Sequence, residues 1–116
     1  MNDVRIYHNP RCSKSRATLE LLGEHGIEPE VIKYLETPPS AEEIDRILRL
    51  LKLEPRQLMR PTEAEYVDLN LSDNSLSRKQ LIDAMVEHPR LIQRPIVLAN
   101  GKASLGRPPE NVLEIL

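Results

Sequence analysis

Residues 4–22 read VRIYHNPRCSKSRATLELL, and the change of pattern inside this stretch decides the fold. VRIY alternates apolar and polar or amphipathic residues, as a short strand over 4–7 does. From Ser13 the period becomes helical, with Ala17, Leu21 and Leu22 on one stripe and Leu19 nearby. HNPRC lies between the two patterns, so Cys12 is expected at a strand-to-helix junction.

Working outward, Gly26 suits the helix stop and Pro29 prevents resumption. EVIKYL at 30–35 reads as a second strand. TPPS breaks the chain, and SAEE at 40–43 has capping-box form before Ile44, Ile47, Leu48 and Leu51. Pro55 opens a short helix carrying Leu58 and Met59. TEAE at 62–65 and SRKQ at 77–80 are two further capping-box candidates, the second leading to Leu81, Ile82 and Met85. His88-Pro89 ends that helix, so residues 40–88 form a helical block. Asn100-Gly101 between two apolar runs signals a two-residue type I′ hairpin. A closing helix from about Pro109 would present Val112, Leu113 and Leu116.

The first two strands are expected to be parallel through a right-handed crossover, and the hairpin adds antiparallel strands. Strand–helix–strand, then strand–strand–helix around a mixed four-stranded sheet, is the α/β arrangement called thioredoxin-like, here with a helical insertion at about 40–88. The chain is expected to form one domain over residues 1–116, a length that supports one modest core.

Composition narrows the function classes. A net charge of −2 implies no general attraction to nucleic acid or an anionic membrane surface. Only three tyrosines, and no Phe or Trp, are present to stack on bases. Neither a nucleic-acid partner nor a membrane partner is expected. The start MNDVRIYHN lacks the apolar core of a signal peptide, and no run approaches transmembrane length. A lone cysteine makes no internal disulfide, which favours a reducing compartment, so the expected location is the cytoplasm.

Free cysteines are commonly buried and inert, yet Cys12 lies in no apolar run. At a helix start the free N–H groups and the positive end of the dipole favour a thiolate. An ordinary thiol of pKa about 8.5 is only a few per cent ionised at neutral pH. A drop of roughly two pH units, about 2.7 kcal/mol, makes the thiolate the major form. His8, Arg11 and Arg16 are candidates to add positive potential, and the Ser13 and Ser15 hydroxyls to donate to the sulfur. Ser15 stands where a C-x-x-C protein has its second cysteine, so any redox cycle at Cys12 needs a thiol from outside.

Eleven arginines against five lysines is a skew toward the better residue for bidentate oxyanion binding. Arg60, Arg94 and Arg107 each precede a proline and are expected on extended backbone. In a thioredoxin-like fold Pro95 is the cis-proline that opens the third strand, with Arg94 facing Cys12.

IYHNPRCSKSR, YLETPPS, LMR at 58–60, LIDAMVEHPRLIQRPIV and GRPPE at 106–110 together resemble the glutaredoxin-linked arsenate reductase family, over essentially the whole chain. The resemblance implies that Cys12 is the nucleophile. It implies that Arg60, Arg94 and Arg107 bind the oxyanion, and that His8 and Ser15 help lower the thiol pKa. Where characterised relatives commonly carry Gly-Thr after the cysteine, this chain has Ser13-Lys14.

The implied reaction reduces arsenate to arsenite. Cys12 attacks As(V) to give a thioarsenate adduct, glutathione adds as co-substrate, and glutaredoxin reduces the mixed species. No metal and no tightly bound cofactor is called for. Two other readings share the scaffold. One is a glutathione-dependent thiol oxidoreductase or transferase for another substrate. The other is a Spx-like regulator that binds RNA polymerase, a group that typically carries the C-x-x-C switch absent here.

Overall fold

The computed structural model describes residues 3–116, so the first two residues of the MNDVRIYHN start lie outside it. Two compact units emerge: the chain up to Thr37 together with Arg94–Leu116, and Pro38–Gln93.

The first unit holds strands β1 (Arg5–Tyr7), β2 (Glu30–Ile32), β3 (Ile96–Ala99) and β4 (Lys102–Leu105) in the order β2-β1-β3-β4. β1 runs parallel to β2 and antiparallel to β3, which is antiparallel to β4. Helix α1 (Ser13–Glu24) makes the crossover from β1 to β2. The result is the thioredoxin-like α/β fold. Ile6 faces Val97 across the β1–β3 ladder. With Val4 and Ala99, these two form a floor against which Leu22, Ile27, Val112 and Ile115 pack. Each aliphatic side chain fully buried in this way contributes about 1.5–3 kcal/mol.

Local chemistry explains where the elements start and stop. α1 ends in a Schellman motif: Gly26 at φ 72° donates to Gly23, and Ile27 donates to Leu22. Ile27 and Leu22 also meet in the core, which locks the turn. At the hairpin, Asn100 and Gly101 have φ of 54° and 72°, the pair of positive values that a type I′ turn requires.

Several boundaries depart from expectation. β2 stops at Ile32 rather than Leu35, because the Lys33 carbonyl takes the N–H groups of both Glu36 and Thr37 and turns the chain. The buried stripe of α1 is Ser15, Thr18 and Leu22, while Ala17 is exposed. Thr18 tolerates burial because its hydroxyl donates to the Lys14 carbonyl at 2.8 Å. The closing segment Pro109–Ile115 is a 3₁₀ helix. Its three-residue period buries Val112 and Ile115 and leaves Leu116 exposed.

The second unit contains α2 (Ala41–Leu51), α3 (Ala64–Asp68) and α4 (Arg78–Glu87), with 3₁₀ turns at Pro55–Leu58 and Pro89–Leu91. Ser40 caps α2 by accepting from Glu43 N–H at 3.1 Å. Ser77 and Gln80 form the reciprocal capping box at the start of α4. TEAE does not cap in the expected way: α3 begins one residue later, with Glu63 as its N-cap residue. The Glu63 carboxylate is instead engaged by Arg60 and Arg90. α2 and α4 pack against each other, and Ile44, Ile47, Leu48, Leu81, Ile82 and Met85 are all buried.

Gly106 follows β4 and donates to the Pro95 carbonyl at 3.0 Å. A methyl group there would run into the Thr18 side chain and come within 2.7 Å of Pro95 Cγ. Gly106→Ala is expected to destabilise the fold by about 1–3 kcal/mol in urea titration, the usual cost of overpacking. An unchanged midpoint would show that α1 and the segment at Pro95 are free to separate.

Candidate active site

The junction after β1 is tied down by Asn9, which sequence reading did not single out. Asn9 is buried, its Oδ1 accepts from Arg11 N–H at 3.0 Å, and its carbonyl accepts from Cys12 N–H at 3.0 Å. Its own N–H donates to Ser15 Oγ at 3.3 Å. The Asn-Pro pair was the available signal, since Asn side chains hold backbone turns of this kind. Arg16 closes the loop from outside by donating to the Pro10 carbonyl at 3.0 Å.

These contacts place Cys12 at the N-cap of α1 with extended backbone, φ −95° and ψ 123°. Its side chain makes no capping hydrogen bond of good geometry, yet the N–H groups of Ser15 and Lys14 are aimed at the sulfur. Four influences compete there. Burial pushes the thiol pKa up. The Ser15 N–H, the Arg94 guanidinium and the Lys14 N–H outweigh it and bring the value down to about 7. The thiolate is therefore accessible at neutral pH, where an ordinary thiol is only a few per cent ionised.

The sources of that shift differ in part from those read in the sequence. Ser15 acts through its backbone N–H, while its hydroxyl accepts from Asn9. Arg94 supplies the positive charge. His8 does not: burial above all, then the charges of Lys33 and Arg16, hold its pKa below the ordinary value, so the ring is neutral at pH 7. His8 closes β1, its N–H donating to the Ile32 carbonyl at 2.8 Å. Its buried Nδ1 has no hydrogen-bond partner among the described residues.

Of the three arginines, Arg94 reaches the sulfur and Arg107 is tied to the Arg94 backbone. The Arg94–Pro95 and Arg107–Pro108 peptides are both cis. Arg107 Nη1 donates to the Arg94 carbonyl at 2.7 Å, so the segments before β3 and after β4 are held together. Arg94 Nε is buried with no partner among the described residues. A buried guanidinium donor without an acceptor costs free energy, which an oxyanion ligand would relieve. Arg60 belongs to the helical unit, where its Nε donates to Glu63 at 3.2 Å and its Nη1 to Gln93 at 3.4 Å. Among the described residues no group of three or more His, Cys, Asp or Glu side chains is placed to hold a metal ion. No helix among them is long and apolar enough to cross a membrane.

Arg94→Ala is expected to move the midpoint of Cys12 alkylation by iodoacetamide to higher pH. Arg107→Ala, which removes a contact to a carbonyl rather than to the sulfur, should move it less. The lowered pKa also has a stability consequence of fixed sign. Folding favours the thiolate, so the stability that Cys12 adds is full above the ordinary thiol pKa and is lost as pH falls through about 7. Urea titrations of the wild type should accordingly gain on Cys12→Ser as pH rises across that window. A parallel pH dependence in the two proteins would contradict the assignment.

The chain and its fold have relatives among known proteins. The ArsC family model matches residues 7–115. The chain is 60% identical to the uncharacterized protein YfgD of Escherichia coli K12, over 97% of this chain and 96% of that one. It is 50% identical to an arsenate reductase of Neisseria meningitidis over the full length of both. The solved structure of an arsenate reductase from Vibrio cholerae superposes with a TM-score of 0.96 at 59% identity, covering 99% of this chain and 98% of that one. Nearly every residue from the end of β1 to the closing 3₁₀ helix falls within that match, and the chain belongs to the ArsC family.

Proposed function

We propose that the protein is an arsenate reductase in which the Cys12 thiolate attacks As(V) while Arg94, Arg107 and Arg60 hold the arsenate oxygens. The observation that carries this reading is a cysteine of pKa about 7 facing a guanidinium that retains a buried, unpartnered Nε donor. Relatives named arsenate reductase at about half identity or more support the substrate. Arg60 is assigned on the family resemblance that the LMR segment helps to carry.

Electrostatics explains why arginines are needed. Arsenate is an anion at neutral pH, and a thiolate approaching it is repelled. At about 4 Å and an effective dielectric near 20, each unit pair costs roughly 4 kcal/mol. One helix N-terminus does not offset that, whereas two or three guanidiniums do, and their forked donors also orient the oxygens.

In the first step an S–As bond forms and an As–O bond breaks, the oxygen leaving as water after protonation. In the second, glutathione contributes the other thiol, two electrons pass from sulfur to arsenic, and arsenite departs. The balance is arsenate plus two thiols giving arsenite, water and a disulfide between Cys12 and glutathione. With one cysteine in 116 residues the chain does not resolve that disulfide itself, so an external reductant such as glutaredoxin returns Cys12 to the thiol. The neutral His8 ring, next to this loop in the chain, is assigned a supporting role in ordering it rather than in charging the sulfur.

With glutathione, glutaredoxin and glutathione reductase supplied, the protein should oxidise NADPH only when arsenate is added. Cys12→Ser should fall to background, and Arg94→Ala should lose about 100-fold or more in kcat/KM, as loss of one oxyanion donor commonly does. Turnover of a mixed disulfide with no response to arsenate would replace this reading with that of a general thiol oxidoreductase.

A further inference from the structure

Arg60 is held from two sides within the helical unit, and the residues holding it have no part in the chemistry above. Residues 60–63, RPTE, form a turn in which Glu63 N–H donates to the Arg60 carbonyl at 3.2 Å, with Pro61 in the position that favours such a turn. The turn folds the Glu63 carboxylate back onto Arg60, where Oε2 accepts from Nε at 3.2 Å.

A second contact comes from an isolated antiparallel bridge between Met59 and Ile92. Arg60 N–H donates to the Leu91 carbonyl at 2.7 Å and Gln93 N–H to the Leu58 carbonyl at 2.8 Å. That register brings Gln93 Oε1 to Arg60 Nη1 at 3.4 Å. Nη2 is left with no hydrogen-bond partner among the described residues. The side chains are largely enclosed, Arg60 at 20% exposure and Glu63 at 16%.

Charge is distributed in a way that keeps Arg60 available. The other oxygen of Glu63 accepts from Arg90 Nη2 at 3.1 Å, and Arg90 also lies 3.9 Å from Glu65. Glu63 is therefore shared between two cations, while Gln93, the second acceptor on Arg60, is neutral. Burial opposes ionisation of Glu63, but Arg60 and Arg90 outweigh it and hold the carboxyl below its ordinary value.

We infer that Glu63, together with Gln93, is the positioning pair for Arg60: the two acceptors fix the guanidinium plane, and Arg90 draws off enough of the carboxylate for Arg60 to bind a tetrahedral dianion through its free edge. This rests on the reading of Arg60 as an oxyanion ligand. A flexible arginine loses side-chain freedom when it binds an anion, and a guanidinium already held in plane loses less.

Sulfate, an unreactive tetrahedral dianion, is the probe, and the readout is the concentration that halves the rate of Cys12 alkylation at constant ionic strength. Glu63→Ala should raise that concentration about tenfold, the effect of losing one well-formed hydrogen bond to a charged group. Glu63→Gln, which keeps an acceptor for Nε, should restore it to the wild-type value or below. In an Arg60→Ala background, Glu63→Ala should add nothing.

If Glu63→Ala folds poorly, Gln93→Ala tests the same arrangement and should weaken protection by about threefold. Wild-type protection in Glu63→Ala, or in Gln93→Ala where that substitutes for it, overturns the inference when Arg60→Ala itself is impaired. So does a Glu63→Gln variant as weak as Glu63→Ala. Wild-type protection in Arg60→Ala overturns both the inference and the role of Arg60 on which it rests.

Discussion

One sulfur atom is contested by two opposing influences, and the rest of the site is arranged around the outcome. Partial burial penalises the thiolate of Cys12, while two backbone N–H groups and the Arg94 guanidinium favour it. Neither favourable source is local to the cysteine in a trivial sense. The N–H groups are free and aimed at the sulfur only because α1 starts at Ser13, and Arg94 is more than eighty residues away in sequence. The sheet order β2-β1-β3-β4 solves this by putting β3 directly beside β1. The Arg94–Pro95 pair that precedes β3 is then delivered to the loop that follows β1.

The fold contributes to chemistry through close packing as much as through charge. Gly106, Thr18 and Pro95 meet so tightly that no side chain fits at position 106. That contact joins α1 to the segment carrying Arg94, and the bond from Arg107 to the Arg94 carbonyl adds a polar tie. The backbone that carries Arg94 is fixed in this way, and on the proposed reading an oxyanion would meet a donor already delivered to Cys12, the condition under which electrostatic stabilisation is most effective.

Much of this was readable from the chain, for reasons that are local. The strand–loop–helix reading of 4–22 held because period-two and period-3.6 patterns meet at HNPRC. Gly26, the Ser77–Gln80 box and Asn100-Gly101 held because each demands a backbone geometry that few residues supply. What failed depended on distant partners. Thr18 is buried and Ala17 exposed because Gly106 packs against the Thr18 side chain, which no helical period reveals. Thr62 does not cap a helix because the next residue, Glu63, is drawn to Arg60 and Arg90. His8 looks like a source of positive charge beside an arginine-rich loop, but burial and two neighbouring cations keep its ring neutral. The contacts of Glu63 and Gln93 with Arg60 carried no sequence signal, since the Gln93 contact forms through a bridge between distant segments.

The central claim is that Cys12 is substantially ionised at neutral pH in the resting protein. Ultraviolet absorbance of the thiolate, titrated across neutral pH with Cys12→Ser as the blank, reads that ionisation without any reagent. A single step centred near pH 7 is the predicted result. A step at about 8.5 or above, the range of an ordinary thiol, would contradict the account.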